Sequence, residues 1–499
     1  MPRKKPPLKE RELITCLKVL RELGHNYDNY KEHSRLPALL RDAQRLLNIH
    51  EDAQPQIEDK PAFVTREREV YDIGVRLAER KRCYSCKTVM HERHPSYRAF
   101  CLPCGELNLE KRHQQADLSK HNVVLTGGRS KIGFHTCLKL LRSGARVLMT
   151  TRFPKHAAER YAQEADFPLW KKRLSIYGLD LRSMPAIERF VKEVEEVLGT
   201  VDILINNAAQ TIRRPPLYYQ PLLRGEVSPF ESPEAIELLS PWTRQQYEAC
   251  AGMKLPVVDG LHLAEKSEQT SIKEAWLPLS SEKPGLMEAE VPEFWRSHSS
   301  FLTSVPFLES DWKASAADFP PEQLNRYNEL ADLRDHTSWE MQLEEVETFE
   351  LFEVHMINAL APFVLMRDLR PLMLRSPHEH RFVINVTSIE GQFAVTKTPS
   401  KGPRHPHTNM TKAALNMLTL SGAHADAREG IYRSAVDPGW ASIENALPVR
   451  EHWFSLGVEP PITMEDAAAR LCDPFFTPLL HSTPPIFGKL LKDYKVVPW

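Results

Sequence analysis

Short apolar runs alternate with amphipathic stretches between residues 121 and 209. Apolar runs of this length, bounded by glycine or polar residues, are typical of strands buried on both faces. The segments between them carry apolar residues at three- and four-residue spacing, which predicts helices. Alternation with short connections favours βαβ units around a parallel sheet. The predicted strands are Asn122–Thr126, Arg146–Thr151, Leu174–Leu179 and Val201–Ile205, and the predicted helices span 132–143, 155–172 and 185–198.

The alternation stops after residue 209 and resumes near residue 346. Residues 210–345 carry many prolines and five of the nine tryptophans, with little strand signal. This stretch is too aromatic for a disordered linker, so it predicts an irregular, partly helical insertion. Beyond it, the pattern predicts helices at 346–374, 409–427 and 463–471, and strands at Arg381–Thr387, Tyr432–Val436 and Phe487–Tyr494.

The first 80 residues form a separate pattern. Leucine and isoleucine recur there at helical spacing, which predicts a small helical cap with one apolar face. The predicted fold class is α/β, a doubly wound parallel sheet. We divide the chain into a helical N-terminal region (1–80), a four-cysteine module (81–113), a sheet domain (121–209 and 346–499) and an insertion (210–345).

Charge and composition exclude several classes of protein. The 65 Lys and Arg residues balance 66 Asp and Glu residues, so the net charge of −1 disfavours nucleic acid or an anionic membrane as a partner. The sequence contains no run of 18 apolar residues, so it predicts no transmembrane helix. No apolar stretch follows the basic N-terminus, so a secretory signal is not expected. The expected location is the cytoplasm, with nuclear import through Arg3-Lys4-Lys5 as an alternative.

Four of the eight cysteines form two CxxC pairs separated by 14 residues. Two such turns can direct four thiolates at one metal ion, which is the pattern of a zinc ribbon or knuckle. Four thiolates leave no open position for catalysis, so the predicted role is structural; a redox or disulfide role is the alternative. The predicted ligands are Cys83, Cys86, Cys101 and Cys104.

A glycine-containing turn links the first strand to the first helix, with the sequence Thr126-Gly-Gly-Arg-Ser-Lys-Ile-Gly133. Glycines at this place let backbone N–H groups approach a pyrophosphate at a helix N-terminus. The turn resembles the TGxxxGxG signature of the short-chain dehydrogenase/reductase family. Asn206-Asn-Ala-Ala209 is similar to that family's NNAG, and Asp437-Pro-Gly-Trp440 to its PG turn.

The resemblance covers roughly 121–210 and 346–447, and it implies an NADP-dependent oxidoreductase acting on a carbonyl or alcohol. Ser388, Lys412 and Asn358 resemble the family's active-site Ser, Lys and Asn. The second strand is followed by Arg152 rather than by an acidic residue, and a basic residue there favours NADP over NAD. The implied cofactor-binding residues are Thr126, Gly127, Gly128, Arg129, Lys131, Ile132, Gly133, Arg152, Asp180, Leu181, Asn207, Ala208, Lys412, Pro438 and Gly439.

The sequence departs from the family pattern at two site positions. Lys131 replaces the middle glycine, where a side chain narrows backbone access although its ammonium can contact phosphate. Thr408 stands where the family has its catalytic Tyr, and an aliphatic alcohol is too weak an acid to replace it. We expect His407 or His405, in the preceding loop, to donate the proton instead.

Two functions remain open, since the balanced charge disfavours a third, a nucleic-acid-associated factor acting through the zinc module. The first is an oxidoreductase with an unusual proton donor and an unknown small-molecule substrate. The second is a catalytically inactive nucleotide-binding scaffold, in which the zinc module or the insertion binds a protein partner. A homo-oligomer is compatible with both. The insertion is expected to cover or line the substrate entrance, because both its attachment points lie at the C-terminal edge of the predicted sheet.

Overall fold

A computed structural model of the chain describes residues 82–250, 297–393 and 402–499. All of them belong to one unit, Gly74–Trp499. The helices expected in residues 1–80 lie outside the described residues.

The described residues form an eight-stranded sheet in the order β3-β2-β1-β4-β5-β6-β7-β8. Neighbouring strands are parallel except at the edge, where β7 and β8 form an antiparallel pair. The doubly wound α/β fold expected from the sequence is therefore confirmed. The strands are β1 (Asn122–Thr126), β2 (Arg146–Thr151), β3 (Leu174–Gly178), β4 (Ile203–Asn206), β5 (Arg381–Val386), β6 (Ile431–Asp437), β7 (Leu490–Lys492) and β8 (Lys495–Val497).

Helices precede, connect and cover these strands. Up to β4 they are α1 (Leu102–His113), α2 (Lys131–Arg142), α3 (Pro154–Ala162), α4 (Phe167–Trp170) and α5 (Met184–Leu198). In the insertion they are α6 (Gln220–Val227), α7 (Pro233–Glu237), α8 (Pro241–Cys250), α9 (Phe301–Ser304) and α10 (Glu309–Lys313). After it they are α11 (Thr348–His355), α12 (Ala361–Leu374), α13 (Pro406–Leu420), α14 (Ala423–Arg428), α15 (Leu447–Ser455) and α16 (Met464–His481).

Several predicted boundaries were wrong. The single helix expected at 409–427 is two helices, because Gly422 adopts a left-handed backbone conformation with φ of +77°. The helix expected to end at 471 continues to His481 as α16, with Pro474 and Pro478 inside it. The helix expected at 155–172 ends at Ala162, and the last strand is the β7–β8 hairpin.

The sheet is buried on both faces. Along β1, Val123 and Leu125 belong to one apolar core, and Val124 belongs to another on the opposite face. α2 and α16 cover the first face, while α5 and α12 cover the second. Burial on both sides explains why the strands are continuous apolar runs rather than alternating ones.

The segment Thr348–Leu374 is long and apolar enough to cross a membrane, with a mean hydropathy of 1.4. However, 56% of that apolar window is buried inside the protein. Leu365 and Leu369 of α12 belong to the core under the sheet. The segment is therefore accounted for as a core helix.

The described parts of the insertion pack above the end of β2. Phe153, which follows β2, lies in an apolar cluster with Tyr218, Leu222, Phe319 and Leu330 of the insertion. The insertion therefore has a core of its own, and this core is joined to the sheet domain at the edge where the strands end.

Candidate functional site

The crevice between the carboxyl ends of β1 and β4 is the natural ligand site of this sheet, because successive connections turn in opposite directions there. The turn after β1 has the geometry expected of a phosphate-binding loop. Gly127 has φ of +73°, and a Cβ at Gly133 would lie 2.0 Å from the Gly127 carbonyl oxygen. Only glycine fits at Gly133 without moving the turn.

Asn207, after β4, fastens this turn. Its side-chain Nδ2 donates to the carbonyl oxygens of Thr126 and Gly127, both at 3.0 Å. Its backbone N–H and that of Ala208 donate to Thr126 Oγ1, both at 3.0 Å. The structure thus brings together the cofactor-binding residues that the family resemblance implied at the ends of β1 and β4.

Lys131 keeps the conformation of the glycine it replaces, with φ of +51°. Its ammonium lies 2.9 and 3.1 Å from the two carboxylate oxygens of Glu444. Burial would raise the pKa of Glu444, but the charge of Lys131 and a hydrogen bond from Ser442 hold it at about 2. The phosphate contact expected of Lys131 is therefore taken by a carboxylate of the chain.

Arg129 is also paired, although the sequence analysis assigned it to the cofactor. It is 9% exposed, forms an ion pair with Glu329 of the insertion, and donates to the Tyr327 carbonyl at 3.2 Å. Burial would raise the pKa of Glu329, but Arg129 and a hydrogen bond from Asn325 hold it at about 2.

The ends of β2 and β3 are covered by the insertion as well. Arg152 donates to Thr303 Oγ1 at 3.0 Å and to the Tyr219 hydroxyl at 3.3 Å. Asp180 is 4% exposed and binds the guanidinium of Arg182, which also pairs with Glu353 of α11. Leu181 is buried in the core.

Ser388 and the ammonium of Lys412 both lie at the end of β5. Ser388 follows the strand and begins a short 3-10 turn, Ile389–Gly391. Lys412 projects from α13, is 6% exposed, and donates to the Val386 carbonyl at 2.9 Å. Burial lowers the pKa of Lys412 to about 8, against the opposing effect of the Glu390 and Asp437 carboxylates. Lys412 is therefore not a solvent-exposed helix residue.

Asn358 lies in a π-helical turn, Met356–Leu360, between α11 and α12. It is 1% exposed, and its amide accepts from the Gln210 N–H at 2.8 Å and donates to the Gln210 carbonyl at 3.0 Å. It also donates to Thr411 Oγ1 at 3.2 Å. Asn358 therefore ties the start of the insertion to α13.

The two histidines expected to replace the tyrosine contact other side chains of the protein. His407 is 1% exposed, and its Nε2 lies 3.6 Å from a carboxylate oxygen of Glu350. The His405 ring stacks on Trp339, with ring centroids 4.1 Å apart. Within the described residues, neither forms a hydrogen bond with Ser388. Thr408, at the tyrosine position, is buried.

Pro438 and Gly439 directly follow β6, and Gly439 lies against Tyr84 of the four-cysteine module. Gly439 has φ of +85°, and a Cβ there would lie 3.3 Å from the hydroxyl oxygen of Tyr84. The next N–H, that of Trp440, donates to the same hydroxyl at 2.9 Å. The module therefore supports this turn directly.

The four cysteines of the module converge. Their Sγ atoms all lie within 4.8 Å of one another, and those of Cys86 and Cys101 are 3.7 Å apart. With Zn–S bonds of about 2.3 Å, tetrahedral coordination places sulfurs roughly 3.8 Å apart. The arrangement is compatible with one zinc ion.

Sequence reasoning missed the residues that fill the crevice: Arg182, Gln210, Thr303, Glu329, Glu353 and Glu444. The ion pair between Arg129 and Glu329 joins positions 200 residues apart. No local spacing signals such a pair, because the insertion's path over the sheet is decided by tertiary packing.

These contacts test whether the residues fit a dinucleotide. The turn after β1 fits one, since its glycines and the Asn207 clamp leave the backbone in the required shape. At the ends of β2 and β3 the arrangement described here does not fit, because side chains of the insertion bind the groups that would meet the cofactor.

Comparison with known proteins gives a family for part of the chain. The family described as short chain dehydrogenase matches residues 121–220. The (+)-neomenthol dehydrogenase of Capsicum annuum is 34% identical over 93 residues, which are 18% of this chain and 29% of that enzyme. The chain thus matches less than a third of the length of this curated enzyme. NADPH-bound carbonyl reductase from chicken fatty liver, a solved structure, is 15% identical with a TM-score of 0.41, and the match covers 76% of this chain and 99% of that chain.

A longer match is to an uncharacterized protein of Acanthamoeba polyphaga mimivirus. It is 29% identical over 405 residues, which are 79% of this chain and 71% of that protein. This span exceeds the length of the chain without residues 210–345, so it includes part of the insertion. Residues 121–220, which hold β1 to β4 and the turn after β1, match the short chain dehydrogenase family.

Proposed function

We propose that the chain is an oxidoreductase that interconverts a carbonyl and an alcohol with NADP(H). The observation that carries the proposal is the buried ammonium of Lys412, which donates to the carbonyl of Val386 at the end of β5, two residues before Ser388. A charged group is rarely buried without a functional reason, and one whose pKa lies near neutrality is suited to proton transfer.

The roles of the residues follow from their positions. Ser388 follows β5, and we assign its hydroxyl the role of holding a substrate oxygen. Lys412, whose pKa burial lowers to about 8, replaces His407 and His405 in our assignment of the proton donor. Asn358 positions Gln210 and α13 through its amide and does not itself touch substrate.

Substitution of Ser388 and Lys412 tests this assignment. Ser388→Ala and Lys412→Met should each reduce carbonyl-dependent NADPH oxidation by about 10²-fold or more, the scale of a general acid. His407→Ala should retain more activity than Lys412→Met. Ser455→Ala and Lys495→Met, at exposed positions, are matched controls. If Lys412→Met turns over as fast as its control, the proposed proton donor is wrong.

The preference for NADP over NAD stays a proposal that depends on Arg152. A guanidinium after β2 suits a ribose 2′-phosphate, whereas an acidic residue suits the 2′-hydroxyl. A charge-assisted contact is worth about 1.5–3 kcal/mol. Arg152→Ala should therefore weaken NADP binding about tenfold or more and leave NAD binding nearly unchanged. Equal wild-type affinities for the two cofactors would contradict the preference.

A second candidate, the catalytically inactive scaffold, is favoured by one set of observations. Thr408 cannot replace the tyrosine, and Arg129 and Lys131 are neutralised by carboxylates of the chain. In that case the insertion or the cysteine module binds a protein partner. A wild-type protein that binds NADPH but oxidises it with no carbonyl in a broad panel would favour this candidate.

We also propose that Cys83, Cys86, Cys101 and Cys104 bind one structural zinc ion. The mutual approach of the four Sγ atoms supports this. α1 begins directly after Cys101 and carries Cys104 in its first turn, so the metal would fasten this helix to the preceding loops. Metal analysis should give one zinc per chain, and Cys104→Ser should lower this stoichiometry.

A further inference from the structure

The insertion crosses the ends of β2 and β3 as a short segment, Ser299–Thr303. Ser299 Oγ donates to the Arg152 carbonyl at 3.0 Å. Thr303 Oγ1 accepts from the guanidinium groups of both Arg152 and Arg182, at 3.0 and 3.1 Å. This segment therefore binds both the main chain and the side chain of Arg152. Arg152 lies where a doubly wound fold holds the ribose of a dinucleotide.

A second part of the insertion reaches the turn after β1. Glu329 forms the ion pair with Arg129 and also accepts from the Tyr218 hydroxyl at 3.0 Å. Its carboxylate is the partner of the one arginine in that turn. A phosphate can bind the Arg129 guanidinium only by displacing the Glu329 carboxylate.

Little space is left between these elements. The cavity among Arg152, Arg182, Gln210, Tyr219, Thr303 and Glu353 measures about 10 Å³. That volume admits about one water molecule. Pockets that hold cofactors or drug-sized ligands usually measure about 300–1,000 Å³.

We propose that the insertion and the adenosine end of a dinucleotide compete for this part of the cleft. Ser299–Thr303 and Glu329 act together as an internal plug, and the cofactor binds only when they withdraw. This inference rests on the proposed function for the identity of the ligand. The insertion would then control entry of the cofactor. The sequence predicts only that it covers or lines the substrate entrance.

A reversible lock tests the plug. A Cβ at Gly178 would lie 3.3 Å from the Ser299 Cβ, just under the roughly 3.5–4.5 Å that separates the Cβ atoms of a disulfide, so a small shift of the segment admits the bond. Gly178 has a negative φ, so a cysteine there is not strained by its backbone. In the double variant Gly178→Cys/Ser299→Cys, oxidation should fix the plug to the end of β3 and reduction should free it. NADPH binding to the full-length, zinc-loaded protein is followed by the fluorescence of the nucleotide.

The oxidised double variant should bind NADPH at least tenfold more weakly than its reduced form. The single variants, treated with the same oxidant, show whether the native cysteines contribute. Glu329→Gln should bind NADPH more tightly than wild type, whereas Glu345→Gln, at an exposed position, should not.

Equal NADPH affinity in the oxidised and reduced double variant would overturn the proposal, as would failure of the disulfide to form in the folded protein. Absence of NADPH binding in every form, including Glu329→Gln, would also overturn it. The proposed function fails in a different way: NADPH binds, and no carbonyl is reduced.

Discussion

At the scale of single residues, Lys412 combines a cost in stability with a chemical use. Its ammonium is buried and donates to a backbone carbonyl, and burial lowers its pKa to about 8. The pKa of lysine in an unfolded chain is about 10.4. Between these pH values the unfolded chain binds more protons than the folded one, so stability rises with pH across this window. The destabilisation caused by burying the Lys412 ammonium is fully present below about pH 8 and disappears above about pH 10.4.

Lys412→Met should therefore stabilise the protein at pH 7. The shift corresponds to up to about 3 kcal/mol, from which the lost hydrogen bond to Val386 subtracts roughly 1 kcal/mol. The gain should shrink as the pH approaches 10.4. Urea unfolding of both proteins at pH 7 and pH 10 measures it. A variant less stable than wild type at pH 7 would show that the ammonium is not destabilising in the folded state.

At the scale of elements, the sequence predicted the strands well and the crevice poorly. The strands are buried on both faces, so a local run of apolar residues identifies them. The break at Gly422 was missed, because a glycine inside an apolar helical pattern does not show by itself that its φ is positive. The contacts of Thr303 and Glu329 depend on how the insertion lies over the sheet, and no pattern within a segment records that path. The glycine turn was predicted because its constraints are local.

The turn between β1 and α2 gives a prediction at this scale. Gly133→Ala places a methyl group 2.0 Å from the Gly127 carbonyl oxygen, so the turn must shift. It should destabilise the protein by at least about 1–3 kcal/mol, the scale of overpacking, and weaken dinucleotide binding. Gly225→Ala is the matched control, because a Cβ there meets nothing within 4 Å and the residue lies in α6. The control should be neutral or stabilising by up to about 1 kcal/mol. Thermal unfolding distinguishes the two, and equal effects would contradict the close approach seen at Gly133.

At the scale of the whole molecule, the cysteine module is joined to the sheet domain through polar contacts. The Tyr97 hydroxyl donates to Asp466 of α16 at 2.7 Å, and Lys111 of α1 pairs with Asp473 at 2.7 Å. Tyr84 accepts from the N–H of Trp440. Four residues after Trp440, Glu444 binds Lys131 in the turn after β1. A chain of contacts therefore runs from the proposed metal site to the nucleotide turn.

Because of this chain of contacts, removal of zinc should also destabilise residues outside the cysteine module. Structural zinc contributes its binding free energy to folding, so chelation should unfold residues 82–113 and expose the turn at Pro438 and Gly439. Hydrogen exchange should then accelerate in the module, at Trp440 and in the first turns of α16, while β1 and β2 remain protected. Cys104→Ser should reproduce this pattern without a chelator. Cys472→Ala, in the buried core of α16, should leave the zinc content unchanged. Zinc loss that accelerates exchange only within residues 82–113 would show that the module does not support the cleft.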